Sequence, residues 1–229
     1  MAEIGNITRK YDKFLIFDTE TTGLDYARDE IIEFSAVVLE VQNGQAIITK
    51  EYDNLVSLTP GNTIPYEIQK LTGITPEDVA QRGISKEQLC ADIAEMVLGN
   101  TLLLAYNAHF DLSFLFYLLL RSGDPTILKG KDKLDLLTVY KDRRPYPHKL
   151  CNAIDAYDLN GKVINSHRAI DDCLATVAVM EAMASEKDDF ESYVNLFGYN
   201  PKFGISGKPI GSVTYKPQPY NSLIPLYTK

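Results

Sequence analysis

The run Lys13-Phe14-Leu15-Ile16-Phe17 is β-prone and apolar at successive positions, and it passes straight into Asp18-Thr19-Glu20 before Thr21-Thr22-Gly23-Leu24. A strand apolar on both alternations has layers packed on either side of it. A chain built around such a strand therefore folds as an α/β domain, with helices covering a sheet. Residues i and i+2 of a strand share a face and lie about 6.5 Å apart along its axis, so Asp18 and Glu20 project side by side from the strand end. Paired carboxylates of this kind can hold divalent ions about 3.5 to 4 Å apart. They can equally be solvated turn residues, and Asp-x-Glu alone is common.

Two long β-rich segments, 30–41 and 46–58, follow on either side of Asn43-Gly44, a strong two-residue hairpin signal. Helical periodicity then takes over at 86–98, 110–121, 149–157 and 168–187, with a short apolar strand at 101–105 set among them. A hairpin-rich start followed by strand and helix gives a mixed sheet covered by helices. The chain shows no internal repeat.

Two further acids stand out by position. Asp111 falls in the first turn of the helix whose packed face carries Phe110, Phe114, Leu115 and Leu118. There a carboxylate also interacts favourably with the helix dipole. Asp172 follows Asp171 in an amphipathic helix with apolar residues at Ile170, Cys173, Leu174, Val177 and Ala178. Its place takes a carboxylate towards the buried side, which is costly without a partner and favours a metal.

Asp18-x-Glu20 with Thr-Gly-Leu, Asn107-Ala108-x-Phe110-Asp111, and His167-x-Ala169-x-x-Asp172 resemble the three motifs of the DEDDh (DnaQ-like) 3′–5′ exonucleases. That family includes the proofreading epsilon subunit of bacterial DNA polymerase III, RNase T and oligoribonuclease. The similarity runs from about Lys13 to about Met183 and takes in Leu71-Thr72-Gly73-Ile74-Thr75-Pro76. One departure is Tyr106, where many members have His before the Asn-Ala pair.

The resemblance implies a ribonuclease H-like α/β fold, a mixed five-stranded sheet flanked by helices. It implies that Asp18, Glu20, Asp111 and Asp172 are metal ligands for two divalent cations, Mg²⁺ or Mn²⁺, hard ions that take oxygen donors. His167 matches the general base, and an imidazole with an ordinary pKa of about 6.5 suits that task. Asp172 is the ligand in preference to Asp171, because adjacent helical residues point about 100° apart. Thr21, Thr22, Gly23, Leu24, Asn107 and Phe110 match the segments that hold the terminal nucleotide, and Leu24 is placed either to wedge against the last base or to form part of a strand-to-loop turn. Of the remaining histidines, His109 occupies an open position of the second motif, and His148 lies in Arg143-Arg144-Pro145-Tyr146-Pro147-His148-Lys149, an exposed loop able to meet nucleic acid.

A chain of 229 residues is long enough for one domain with a substantial core. The domain is expected over 1–187, with 188–229 a Gly-, Pro- and Tyr-rich C-terminal extension that packs on the domain, binds a polymerase or other protein partner, or adds contacts to nucleic acid. The absence of any apolar run of about 18 residues and of a leader pattern at the start gives a cytoplasmic protein with no membrane partner as the expectation. Cys90, Cys151 and Cys173 lack Cys-x-x-Cys spacing, so a disulfide framework or zinc site is not indicated. Net charge is -8, and the basic residues concentrate in 129–168, the candidate rim for a phosphate backbone. The expected substrate is a single-stranded or frayed DNA 3′ end, cut to release nucleoside 5′-monophosphates. RNA is the alternative, because no residue can be shown to accept or reject a 2′-hydroxyl. A silent binding module on the same fold is the rival of another class, and all five catalytic positions being filled weighs against it.

Overall fold

The computed structural model describes residues 1–163, 168–197 and 216–217. Five strands, β1 (Lys13–Thr21), β2 (Ile31–Gln42), β3 (Gln45–Leu55), β4 (Thr101–Ala105) and β5 (Lys133–Asp135), form one sheet in the order β3-β2-β1-β4-β5. The first three run antiparallel, and β1, β4 and β5 run parallel. The expected mixed five-stranded sheet is therefore present. The β2–β3 turn places both Asn43 (φ 53°) and Gly44 (φ 82°) in the left-handed region, the geometry that matches the twist of a two-residue hairpin.

Side-chain alternation divides the interior in two. Phe14 and Ile16 of β1, with Leu102 and Leu104 of β4, pack on the side of α5 (Leu136–Arg143), α6 (Leu150–Ala156) and α7 (Ala169–Glu186). Leu15, Phe17, Leu103 and Ala105 pack on the other side, against α3 (Lys86–Met96) and α4 (Ala108–Ser122). A smaller cluster of Ile32, Leu55, Ile64, Ile74 and Val79 seats α1 (Tyr66–Thr72) and α2 (Pro76–Arg82). The Thr-Gly-Ile segment joins these two helices. Gly73 ends α1 at φ 73°, and Thr75 caps α2 with a reciprocal Asp78 box. Helix α5 carries no strong periodicity and was not legible in sequence. It is held by Asp135, whose side chain accepts from Leu137 N.

Past α7 the chain stays on the domain: Phe190 and Tyr193 are buried in the α7-side core, and Leu196–Phe197 pairs in parallel with Lys216–Pro217. The rest of the extension lies outside the described residues. Among the described residues, no helix is long and apolar enough to cross a membrane.

Candidate active site

The alternation that turns Phe14 and Ile16 towards α7 carries on to Asp18 and Glu20 at the end of β1. Both acids meet the first turns of α7, and Asp18, Glu20 and Asp172 each offer a carboxylate oxygen lying within 4.8 Å of the other two. Asp111 reaches the same strand end from α4. It is 2 % exposed, and it accepts hydrogen bonds from the Thr19 N–H (3.0 Å) and hydroxyl (2.8 Å). The structure thus brings together all four acids named from sequence, three as a cluster and the fourth held on the strand between them.

Burial, with charge repulsion added to it, raises their proton affinities. Burial first, then the charges of Asp111, Asp172, Glu20 and Glu33, hold the Asp18 carboxyl well above the ordinary range. Glu20 is pushed up to about 8 by burial, with Asp172, Glu33 and Asp111 adding to it. Asp111 is raised to about 7 by burial against the opposing effect of its two bonds from Thr19. Carboxylates so placed resist ionising together unless positive charge joins them. An all-oxygen donor set fits hard divalent cations and offers nothing to favour a soft metal.

Two buried acids of this region were not singled out in sequence. Glu33 on β2, fully buried and opposite Glu20 in the ladder, accepts from Arg168 Nε (2.8 Å), from Arg168 Nη2, and from the Ala169 N–H (2.9 Å). It therefore fixes the start of α7. The available signal was a lone charge inside the apolar run Ile31-Ile32-Glu33-Phe34. Asp135 does the same for α4: its Oδ1 accepts from the N–H groups of Asn107 (3.0 Å) and Ala108 (3.1 Å).

The residues expected around a terminal nucleotide divide by role. The Thr21 hydroxyl donates to Gly23 O, and the Thr22 hydroxyl accepts from Glu30 N, so both close the turn. A Cβ on Gly23 would stand 2.4 Å from an Asp29 carboxylate oxygen, which excludes any larger residue without rearrangement. Leu24 stands out at 83 % exposure. Asn107 is exposed with φ 72°, and half-buried Phe110 packs its ring 4.9 Å from that of Phe114. His109 is buried in α4, and burial lowers its pKa. His167 lies outside the described residues. Tyr106, at the family's departure point, donates its hydroxyl to His148 O (2.9 Å) and Lys149 O (3.2 Å), tying the 145–149 loop to the second motif.

The basic stretch is less available than its composition suggests. Arg143 is engaged by Asp189, Glu186 and the carbonyls of Met183 and Lys187. Arg144 pairs with Glu186, Arg168 with Glu33, and Lys133 is buried.

Comparison with known proteins places this geometry. The RNase T family profile, described as Exonuclease, matches residues 15–180, and the chain belongs to this family as a DEDDh-type member. It is 32 % identical over 170 residues to a PolC-type DNA polymerase III of Clostridium perfringens, covering 74 % of this chain and 11 % of that protein. It is 34 % identical over 105 residues to the DNA polymerase III subunit epsilon of Treponema pallidum, covering 44 % of each. Among solved structures it is similar to Escherichia coli exonuclease I in complex with a dA16 oligonucleotide, with a TM-score of 0.66, 23 % identity and coverage of 77 % of this chain and 41 % of that one. The chain thus spans about a tenth of the PolC-type protein.

Proposed function

We propose that this chain is a metal-dependent 3′–5′ exonuclease that releases nucleoside 5′-monophosphates from single-stranded or frayed DNA ends. The observation supporting this reading most directly is the convergence of Asp18, Glu20 and Asp172 within 4.8 Å, with Asp111 locked beside them on Thr19. Asp18, Glu20, Asp111 and Asp172 would hold two divalent cations, Mg²⁺ or Mn²⁺, hard ions that suit an all-carboxylate set. When bound, such ions lower the pKa of an attacking water and stabilise the departing 3′ oxygen. His167, one residue ahead of the Glu33-anchored start of α7, takes the proton from that water as general base. Gly23 and Leu24, with Asn107 and Phe110, hold the terminal nucleotide.

DNA is preferred over RNA because the relatives named PolC-type DNA polymerase III and subunit epsilon, and a neighbour solved with dA16, are DNA enzymes by name or ligand. Of the segment 188–229, Phe190 and Tyr193 pack in the domain core, and the sequence beyond them is where a polymerase or other protein partner would bind. The test offers purified protein 3′-labelled single-stranded DNA, mismatched duplex and RNA with Mg²⁺, with Mn²⁺ or with EDTA. Expected is stepwise release of labelled mononucleotide from DNA with either ion and none with EDTA, abolished by Asp18→Ala or Asp172→Ala. Cleavage that survives EDTA, or near-normal turnover in either variant, would sink the reading. Faster cleavage of RNA would move the substrate to the ribonuclease side.

A further inference from the structure

A groove of about 560 Å³ opens beside the acids on the α7 side of the sheet, and its walls include Tyr106, Asn107, Lys141, Tyr146, His148 and Lys149. Its place relative to the acids follows from the strand order. In the parallel β1–β4 pair, Ile16 lies opposite Leu104. Asp18 lies two residues past Ile16 on β1, and Tyr106, two residues past Leu104, is the first residue after β4. The groove therefore starts at the end of the strand next to the one that carries Asp18 and Glu20, and Asn107 of the second motif stands on its edge.

Two kinds of group face into it. The Tyr146 ring is 85 % exposed, although its loop is pinned. Tyr106 holds the carbonyls of His148 and Lys149, and His148 Nε2 lies 2.9 Å from Arg144 O. The His148 ring stands edge-on to both Tyr140 (5.7 Å) and Tyr146 (5.8 Å). A large aromatic face held out to water on an anchored loop is a preformed stacking platform. Lys141 and Lys149 supply charge and enter no ion pair among the described residues, whereas the adjacent Arg143 and Arg144 are both paired. An exposed aromatic ring beside cations held in no ion pair is the chemistry that suits single-stranded nucleic acid, in which every base offers a π-face and every phosphate a charge. On a protein of net charge -8, such a local cationic edge decides where a polyanion can approach.

We propose that this groove binds the strand just upstream of the terminal nucleotide, with a base stacked on Tyr146 and its phosphates against Lys141 and Lys149. The proposal rests on the exonuclease reading above and adds a second subsite to it. It makes the chain a reader of short single strands, with contacts ending a few nucleotides from the 3′ end.

The test measures binding of 5′-labelled oligothymidylates of two to eight nucleotides, and of thymidine 5′-monophosphate, with Ca²⁺ in place of Mg²⁺. Tyr146→Ala should weaken the octamer about tenfold, in the range for loss of one stacking partner, and should leave the monophosphate within about twofold. Tyr146→Phe should bind as the unaltered protein does. Lys141→Ala with Lys149→Ala should reduce the slope of log K against log salt by about 1.4, at about 0.7 for each phosphate of a single strand. Equal binding of the octamer by Tyr146→Ala and the unaltered protein overturns the proposal, as does equal weakening of octamer and monophosphate. Cleavage of a 3′-labelled strand by the unaltered protein with Mg²⁺ is scored in parallel. Cleavage with unchanged Tyr146→Ala binding removes the groove alone, and absence of cleavage removes the exonuclease reading and this subsite with it.

Discussion

Glu33 lies directly across the ladder from Glu20, yet its carboxylate is spent on Arg168 and the Ala169 N–H. A fully buried acid thereby becomes the clamp that sets where α7 begins. Because Asp172 N donates to Arg168 O, the position of Asp172 in the acid cluster is carried through the same residue. His167 is the residue immediately before Arg168 in the sequence.

Removing the cation from this pair should cost stability. Arg168→Ala leaves the Glu33 carboxylate buried with one backbone partner, which for a half-exposed arginine is expected to cost about 1 to 3 kcal/mol. Glu33→Gln keeps an acceptor for Ala169 and leaves a cation that water can reach, so it should cost less. Urea denaturation midpoints compare the two, and an equal or reversed order would show that the clamp does not depend on the ion pair.

Burial of the acids, with charge repulsion added to it, predicts how pH acts on the metal-free protein. Unfolded carboxyls titrate near 4, whereas Glu20 and Asp111 in the fold titrate at about 8 and about 7. Between these values the folded protein holds protons that the unfolded chain has released, so stability falls as pH rises from about 4 to about 8. Saturating Mg²⁺ should remove that decline and expel about one proton or more at pH 6.5, since the ligands must deprotonate. Titration calorimetry in two buffers of different ionisation enthalpy reads the protons. Binding without proton release would mean that these acids are already ionised.

Local pattern made four of the strands legible, as apolar runs and an Asn-Gly hairpin, whereas the fifth strand, Lys133–Asp135, and the choice of the four acids rested on the resemblance to the exonuclease motifs. It did not show α5, whose eight residues have no clean periodicity and owe their place to the Asp135 cap. Nor did it show Glu33, whose meaning depends on Arg168, 135 residues away. The basic stretch 129–168 read as a rim because composition does not distinguish Arg143, closed off by Asp189 and Glu186, from Lys149, which faces the groove. Pairing between distant segments is what a linear pattern cannot display.

The two histidines flanking the acid motifs should separate cleanly. His167→Ala is expected to lower turnover by roughly 10² to 10⁴, the range for losing a general base, with little change in metal affinity. His109 is buried in α4, and His109→Gln should alter stability more than turnover. Single-turnover rates on a labelled oligonucleotide decide it, and a crippled His109→Gln beside an active His167→Ala would reverse the assignment.

Lys133 predicts an effect far from the chemistry. It begins β5, opposite Leu103 and thus away from the strand ends that carry the acids. Its side chain is 1 % exposed, and its ammonium has no hydrogen-bond partner among the described residues. Burial, opposed in part by Asp132, lowers its pKa to about 8, against about 10.4 for an unfolded lysine. Between those values the unfolded chain binds more protons than the fold does, so this residue makes stability rise with pH there. Lys133→Met retains the length of the side chain and removes the charge. It should therefore stabilise the protein by about 1 to 3 kcal/mol at pH 7, with the gain shrinking towards pH 10 as the native amine loses its proton. Urea unfolding of both proteins at the two pH values tests this, and a Lys133→Met protein less stable at pH 7 would show that the buried ammonium stabilises the fold.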